Sequence, residues 1–151
     1  MKLQAIFLLL ISTFTFAEEE CVFRTEAFDE FRDQYVKSHE EAKIDSDRET
    51  LIVTRDNEEI LVKGGGCIHL GVAIELRTKQ AYTEEQFLQK TLNLTIEFGD
   101  WLINTKELKD AIENGEYHKI DGTYYIEVDA MTVFNASYDN QGKINVDFYI
   151  N

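Results

Sequence analysis

The stretch that decides the fold covers residues 67–76 and reads CIHLGVAIEL. Bulky apolar residues occupy every second position from Ile68 to Leu76, and the positions between them are mostly small or polar. Because successive side chains of a strand point to opposite faces, this alternation predicts a strand with one face in the core. The other face is small near its start, which leaves room for another segment close over it.

Two shorter strands are predicted upstream of this stretch. Residues 50–54 are β-branched and apolar, and residues 60–62 are apolar again. The polar residues 56–59 between them predict a turn. The glycine run 64–66 predicts a bend before the long strand, and the polar segment 44–49 predicts a loop.

Helical periodicity appears in three places. Residues 25–42 place apolar side chains at helical spacing along one stripe, opposite a charged face. Thr83 with Gln86 forms the capping-box pattern that begins a second helix. Asn104 begins a third helix, and Gly115 stands where a glycine ends one.

The last third of the chain is rich in strands. Residues 124–130, 132–138 and 144–150 alternate, and Asp121-Gly122 is a strong tight-turn pair. Short turns between strands make an antiparallel sheet. We therefore expect an α+β fold, with an antiparallel sheet of four to five strands and about three helices packed mainly on one face.

The first seventeen residues predict export. Lys2 is followed by an apolar run, and Thr15 and Ala17 stand at the −3 and −1 positions of a cleavage site. Residues 1–17 are therefore predicted to be a signal peptide and residues 18–151 a single compact domain, periplasmic or secreted after cleavage behind Ala17. The chain contains no proline, and no linker composition divides it.

The chain has two cysteines, Cys21 and Cys67. In an oxidising compartment an isolated pair is expected to form a disulfide. In the chain-entropy treatment, this bond stabilises the fold by about 4 kcal/mol, because it restricts the unfolded chain. The acidic residues 18–20 before Cys21 do not fit a lipid-attachment signal, so no membrane anchor is expected.

The charge is strongly negative, with 29 acidic against 15 basic residues and a net charge of −14. This balance disfavours nucleic acid and anionic membranes as partners. It favours a cationic protein partner, because opposite charges accelerate the encounter.

Catalysis finds little support in the residue pattern. Cys67 as a nucleophile with His69 as its base would need a reduced thiol, whereas Cys21 is available to oxidise it. A zinc site made by these three residues lacks a fourth ligand and the usual cysteine spacing. We expect no enzyme, cofactor or metal. A small periplasmic hydrolase or metal-dependent enzyme, and an envelope protein of structural role, are the alternatives.

The remaining candidates are loops and exposed aromatics that would contact a partner. They come from the acidic turn, the glycine bend and the tyrosines around the 121–122 turn, where Tyr125 is expected to face outward if Tyr124 faces inward. The predicted partner-binding residues are Asp56, Asn57, Glu58, Glu59, Gly65, His69, Tyr117 and Tyr125. The sequence also leaves a homodimer open.

The signal sequence, the acidic compact domain, the Cys21–Cys67 pair and the lack of a catalytic set together resemble small periplasmic immunity proteins. Proteins of this class neutralise antibacterial effectors of type VI secretion systems. The resemblance implies binding to a toxin and occlusion of its active site. Cell-wall-degrading toxins are commonly basic, which suits an acidic inhibitor, and an inhibitor of a lysozyme-like enzyme would need the same physics.

Overall fold

The computed structural model describes residues 26–45, 49–65, 70–139 and 141–150. These ranges contain three helices and eight strands. The helices are α1 (Glu26–Ser38), α2 (Glu84–Gly99) and α3 (Thr105–Asn114). The strands are β1 (Ala42–Asp45), β2 (Thr50–Arg55), β3 (Glu58–Gly64), β4 (Leu70–Arg77), β5 (His118–Ile120), β6 (Thr123–Glu127), β7 (Thr132–Tyr138) and β8 (Lys143–Ile150).

All eight strands form one antiparallel sheet in the order β1-β2-β3-β4-β8-β7-β6-β5. Each half of the chain is helical first and then runs through a meander of four strands. The last strands of the two meanders, β4 and β8, pair in the middle of the sheet, with Val72 opposite Phe148 and Ile74 opposite Val146. The halves share this organisation although the sequence shows no internal repeat.

The expected α+β class and antiparallel sheet are confirmed, but the expected count of four to five strands is wrong. The additional strands include β1 and β5, which form the two edges of the sheet. The sequence indicated a helix up to Ala42 and then a loop, whereas α1 ends at Ser38 and β1 begins at Ala42. Strand β5 is exposed at all three positions. Both segments are short and carry charged residues, which edge strands tolerate, so neither gives a long alternating pattern.

One face of the sheet is buried against the helices. The long central strand, β4, buries Val72, Ile74 and Leu76 on this face, as its alternation predicts. Helix α2 covers the centre of the sheet, where it contacts β4 and β8, while α3 contacts β6 and α1 contacts β1. The apolar side chains of the three helices and of this face form one core. No helix in the described ranges is both long enough and apolar enough to cross a membrane.

The helix boundaries follow the capping residues. The Thr83 side chain accepts from the backbone N–H of Gln86, and the Gln86 side chain accepts from the backbone N–H of Thr83, as in a capping box. Asn104 caps α3, and Gly115 ends it in the left-handed conformation with φ of 71°. The predicted starts of α2 and α3 are therefore confirmed.

A charged clamp joins α1, β2 and α2. Arg55 Nη1 and Nη2 donate to the two carboxylate oxygens of Glu97 at 2.8 and 2.6 Å. The hydroxyl of Tyr35 donates to Glu97 Oε1 at 2.5 Å. Burial raises the pKa of Tyr35, and the hydrogen bond to Glu97 raises it further. Burial also opposes ionisation of Glu97, but the hydrogen bonds from Arg55 and Tyr35 outweigh it and lower the pKa of that carboxyl.

The turn before β8 depends on a glycine. Gly142 has a φ of 84°, and its carbonyl accepts from the backbone N–H of Thr78 at 2.9 Å. A Cβ at Gly142 would overlap the carbonyl oxygen of Thr78. Gly122 has nearly the same φ, 83°, but a Cβ there meets nothing within 4 Å. An alanine at Gly122 would therefore introduce backbone strain alone, whereas an alanine at Gly142 would introduce the same strain and a steric overlap.

We expect Gly122→Ala to cost about 1 kcal/mol of unfolding free energy through its left-handed backbone alone. Gly142→Ala is expected to cost about 3 kcal/mol, because the overlap with Thr78 adds to the same strain. Urea denaturation of both variants measures the difference. Equal losses would show that the Thr78 segment moves away without cost.

The clamp makes stability depend on pH in a defined direction. The pKa of Glu97 is lower in the folded protein than its ordinary value of 4.5. Its contribution is therefore fully present above that ordinary value and is lost as the pH falls through the folded value. We expect Glu97→Gln to cost about 2 kcal/mol at neutral pH. The difference in unfolding free energy between this variant and the parent protein should be smaller at about pH 3.5 than at neutral pH.

Urea denaturation at the two pH values measures this narrowing. Glu59→Gln is the matched control, because Glu59 pairs with Arg77 at an exposed site. Exposed ion pairs contribute little to stability. A gap for Glu97→Gln that is the same at both pH values would contradict the assignment of the clamp.

Candidate partner-binding site

Three hairpin turns and the start of α2 lie at one end of the sheet, which we call the turn end. The strand register places Glu59 opposite Arg77 and Arg77 opposite Lys143. At the same end, Tyr138 of β7 lies opposite Ile144 of β8, and Thr123 of β6 lies opposite Ser137 of β7. The β2–β3, β7–β8 and β5–β6 turns therefore project side by side, next to the segment that leads from β4 into α2.

A cleft of about 310 Å³ opens at the turn end on the helical side of the sheet. Its walls include four aromatic side chains. We call it the tyrosine cleft, and the aromatic residues that line it are Tyr82, Phe87, Tyr124 and Tyr138. The rings contact one another in a row, with Tyr82 edge-on to Tyr138 at 5.8 Å and Phe87 at 5.1 Å from Tyr124. Tyr117 extends this row, at 5.6 Å from Tyr124.

An ion pair lies in the cleft. Lys119 Nζ donates to Glu84 Oε2 at 3.0 Å and lies 4.6 Å from the centre of the Tyr124 ring. The hydroxyl of Tyr117 donates to the other carboxylate oxygen of Glu84 at 3.4 Å. The hydrogen bond with Lys119 lowers the pKa of Glu84. Hydrogen bonds with Tyr124 and Glu84 raise the pKa of Lys119, so both groups stay charged at neutral pH.

The acidic hairpin β2–β3 is connected to the same cleft. Glu58 pairs with Lys90 of α2 at 2.7 Å. The hydroxyl of Tyr82 donates to Glu58 at 3.5 Å. Burial raises the pKa of Tyr82, and the nearby charge of Glu58 raises it further. The hairpin and the cleft thus form one continuous surface.

Little of the net negative charge of the described residues lies on the sheet face opposite the helices. By strand alternation, the sheet face opposite the helices carries five acidic and four basic residues. These are Asp45, Glu59, Glu75, Glu127 and Asp147, with Lys43, Lys63, Arg77 and Lys143. Among the described residues, the helices and the strand positions that face them hold 11 acidic and seven basic residues, and the connecting segments hold nine acidic residues and one basic residue. The tyrosine cleft therefore opens on the acidic side of the molecule.

The opposite sheet face neutralises its charges internally. Glu75 pairs with Arg77 at 2.6 Å and with Lys143 at 2.7 Å. Burial opposes ionisation of Glu75, but the hydrogen bonds from Lys143 and Arg77 outweigh it and lower the pKa of the carboxyl. Together with Glu59, which also pairs with Arg77, these residues cancel one another in charge.

The structure brings some predicted binding residues together and separates others. Asp56 and Asn57 are the exposed tip of a two-residue turn with φ of 47° and 68°, whereas Glu58 and Glu59 already belong to β3. The expected turn over residues 56–59 is therefore shorter than predicted. Glu58 lies on the helical side in contact with Tyr82 and Lys90, and Glu59 lies on the opposite sheet face with Arg77.

Tyr117 and Tyr125, which the sequence grouped in one region, do not share a face. Tyr117 contacts Tyr124 and Glu84 on the helical side. Tyr124 is buried and Tyr125 is exposed, so the expected alternation is confirmed and Tyr125 lies on the opposite sheet face. Gly65 follows β3 at the end of the sheet away from the turns. His69, Cys21, Cys67 and the predicted signal peptide lie outside the described residues.

Sequence reasoning missed Tyr82, Glu84, Lys119 and Tyr138 as members of a common site. Tyr82 directly precedes Thr83, where the sequence begins the second helix, and Tyr138 lies in the predicted strand 132–138, which the structure contains as β7. Their proximity depends on the pairing of β7 with β8 and on where α2 begins over the sheet. The one local signal was the density of tyrosines near the 121–122 turn.

Comparisons with protein-family models, with curated proteins and with solved structures find no match to this chain. Among the described residues, no group of three or more His, Cys, Asp or Glu side chains is arranged to hold a metal ion. The features of the described residues that bear on function are the tyrosine cleft and the charge distribution.

One contact bears on the predicted disulfide. Phe28, in the first turns of α1, packs against Gly64 at the end of β3, where a Cβ would overlap its ring. Cys21 precedes Phe28 by seven residues, and Cys67 follows Gly64 by three. The contact therefore joins the two described segments that are nearest in sequence to the predicted pair, and the cysteines themselves lie outside the described residues.

We expect the chain that remains after the predicted cleavage, residues 18–151, to contain the Cys21–Cys67 bond. A thiol-alkylating reagent should label no cysteine in denaturant without reductant, and both cysteines after reduction. Reduction should lower the unfolding free energy by about 4 kcal/mol. A Cys21→Ser/Cys67→Ser double variant is the control, because reductant should leave its stability unchanged. Labelling of both thiols before reduction would contradict the pairing.

Proposed function

We propose that this chain is a secreted, non-enzymatic protein that binds and inhibits a basic partner, and specifically an immunity protein against an antibacterial cell-wall-degrading effector. The observation that carries the proposal is the position of the tyrosine cleft on the acidic side of the molecule. Aromatic side chains are enriched among the residues that dominate binding energy at protein interfaces. The surrounding carboxylates would attract a cationic partner before contact.

The charge asymmetry favours one docking side. The opposite sheet face is nearly neutral, so it neither attracts nor repels a cationic protein strongly. The excess of acidic residues on the helical side gives the molecule a direction, and a basic partner would approach with the helices and the cleft facing it. Electrostatic steering of this kind acts mainly on the association rate and is weakened by salt.

The three projecting turns supply the shape for inhibition. Asp56-Asn57 and Asp121-Gly122 are exposed tips beside the cleft. A partner anchored in the cleft would meet these tips at its own surface. Inhibition then follows from occlusion, since a lytic enzyme covered at its active site cannot reach a polymeric cell-wall substrate.

The binding test uses residues 18–151 with a panel of basic cell-wall hydrolases: a lysozyme, an amidase and an endopeptidase. We expect at least one to be inhibited in a lysis assay. Its association rate constant should fall about tenfold between about 50 and 300 mM salt, because screening shortens the range of the attraction. Failure to bind any of the three at low salt, or an affinity independent of salt, would overturn the proposal.

Two tyrosines provide a matched pair of variants in the same experiment. Tyr117→Ala should weaken binding about tenfold, because Tyr117 lies on the helical side against Tyr124 and Glu84. Tyr125→Ala should change it less than about twofold, because Tyr125 lies on the opposite face. Denaturation curves confirm that both variants fold. Equal losses of affinity would place the interface elsewhere.

A further inference from the structure

The ammonium group of Lys119 lies at a point in the tyrosine cleft where a cationic side chain of another protein could also bind. It lies 4.6 Å from the centre of the Tyr124 ring and 3.0 Å from Glu84 Oε2. A cation within about 6 Å of a ring centroid is attracted by the negative face of the ring, and a carboxylate on the other side adds a direct charge pair. The cleft thus supplies both elements that recognise a lysine or arginine side chain.

The hold on Lys119 is weak, which makes replacement possible. Lys119 belongs to β5, an edge strand of three residues that are all exposed. Its side chain is 48% exposed and that of Glu84 51% exposed, so water screens their attraction. A partner that excludes water from the cleft would strengthen the same interactions for whichever cation occupies it.

The charges around the cleft favour a cation over an anion. The N-terminus of α2 alone would favour an anion. However, Glu84 and Glu85 in its first turn place two carboxylates there. Lys119 is the one basic residue among those that line the cleft, and it is already paired with Glu84.

We propose that the tyrosine cleft is a receptor for a lysine or arginine side chain of the basic partner, and that Lys119 is an internal substitute which this side chain displaces. The inference rests on the proposed function and names the chemistry of its anchor. A partner cation would form the ion pair with Glu84 and lie over Tyr124. Lys119 would turn outward into water from its edge strand.

The test measures the affinity of the protein for three ligands: N-acetyl-lysine amide, N-acetyl-arginine amide and the inhibited hydrolase. Binding of the two amides is followed by NMR shifts of the tyrosine rings. Lys119→Met keeps the length of the side chain but removes the competing charge, and should tighten binding of all three about fivefold. Lys109→Met makes the same change in net charge at an exposed position of α3, where Lys109 pairs with Glu113. This control should change affinity less than about twofold.

The carboxylate is tested in the same way. Glu84→Gln should weaken binding about fivefold, whereas Glu113→Gln, on α3, should have little effect. Equal effects of Lys119→Met and Lys109→Met would overturn the inference. Weaker binding by Lys119→Met would also overturn it and would assign Lys119 a contact with an anionic group, which acetate tests as a third probe.

The outcomes separate this inference from the proposed function. If a hydrolase is still inhibited in a salt-dependent manner while the amides shift no tyrosine resonance, the receptor for a single cationic side chain is refuted and the inhibitor stands. If no hydrolase binds but the amides bind as expected, the cleft recognises cations and the inhibitor is refuted.

Discussion

The pairing of β4 with β8 is the constraint on which the rest of the structure depends. Eight residue pairs, from Leu70–Ile150 to Arg77–Lys143, join two meanders that would otherwise be separate four-stranded sheets. A small sheet with one apolar face is a marginal structure, and doubling its width gives the helices a single surface to cover. The same pairing aligns Arg77 with Lys143 and so brings the turns of both halves to one end. The residues that line the tyrosine cleft belong to the second half and to the segment that leads into it, and the first half adjoins the cleft through Glu58, which contacts Tyr82.

The charge asymmetry follows from the same one-sided architecture. All three helices lie on one face, so their outward surfaces must be polar to meet water, and in this chain those surfaces are mainly acidic. The uncovered sheet face solves the same problem differently, because neighbouring strands allow cross-strand pairs of opposite charge such as Glu59 with Arg77. Negative charge therefore accumulates on the helices and in the connecting segments, and nearly cancels on the uncovered sheet face. The composition determines the net charge, but only the topology determines on which surfaces of the molecule that charge lies.

Local chemistry made much of the fold predictable. The capping box at Thr83, the cap at Asn104, the ending glycine at Gly115 and the Asp121-Gly122 turn are short-range signals, and each appears in the structure where the sequence placed it. The edge strands β1 and β5 were missed because they have only four and three residues and carry charged side chains, as edges tolerate. The cleft was missed for a different reason. Its members are separated by up to 56 residues, from Tyr82 to Tyr138, and no local pattern encodes which strands become neighbours.

Stability and recognition draw on different parts of this molecule, which bears on how the surface can change. The core is built from the fully buried residues of the central strands and of α2, such as Ile74, Phe98 and Phe148. The cleft shares Phe87 and Tyr124 with that core, but its polar members, Glu84 and Lys119, are about half exposed. Substitutions at exposed positions usually change stability little. Substitutions of Phe87 and Tyr124 would therefore destabilise the fold, whereas substitutions of Glu84 and Lys119 would change stability little. An inhibitor that must follow changes in its target needs this separation, since specificity can then change without loss of the fold.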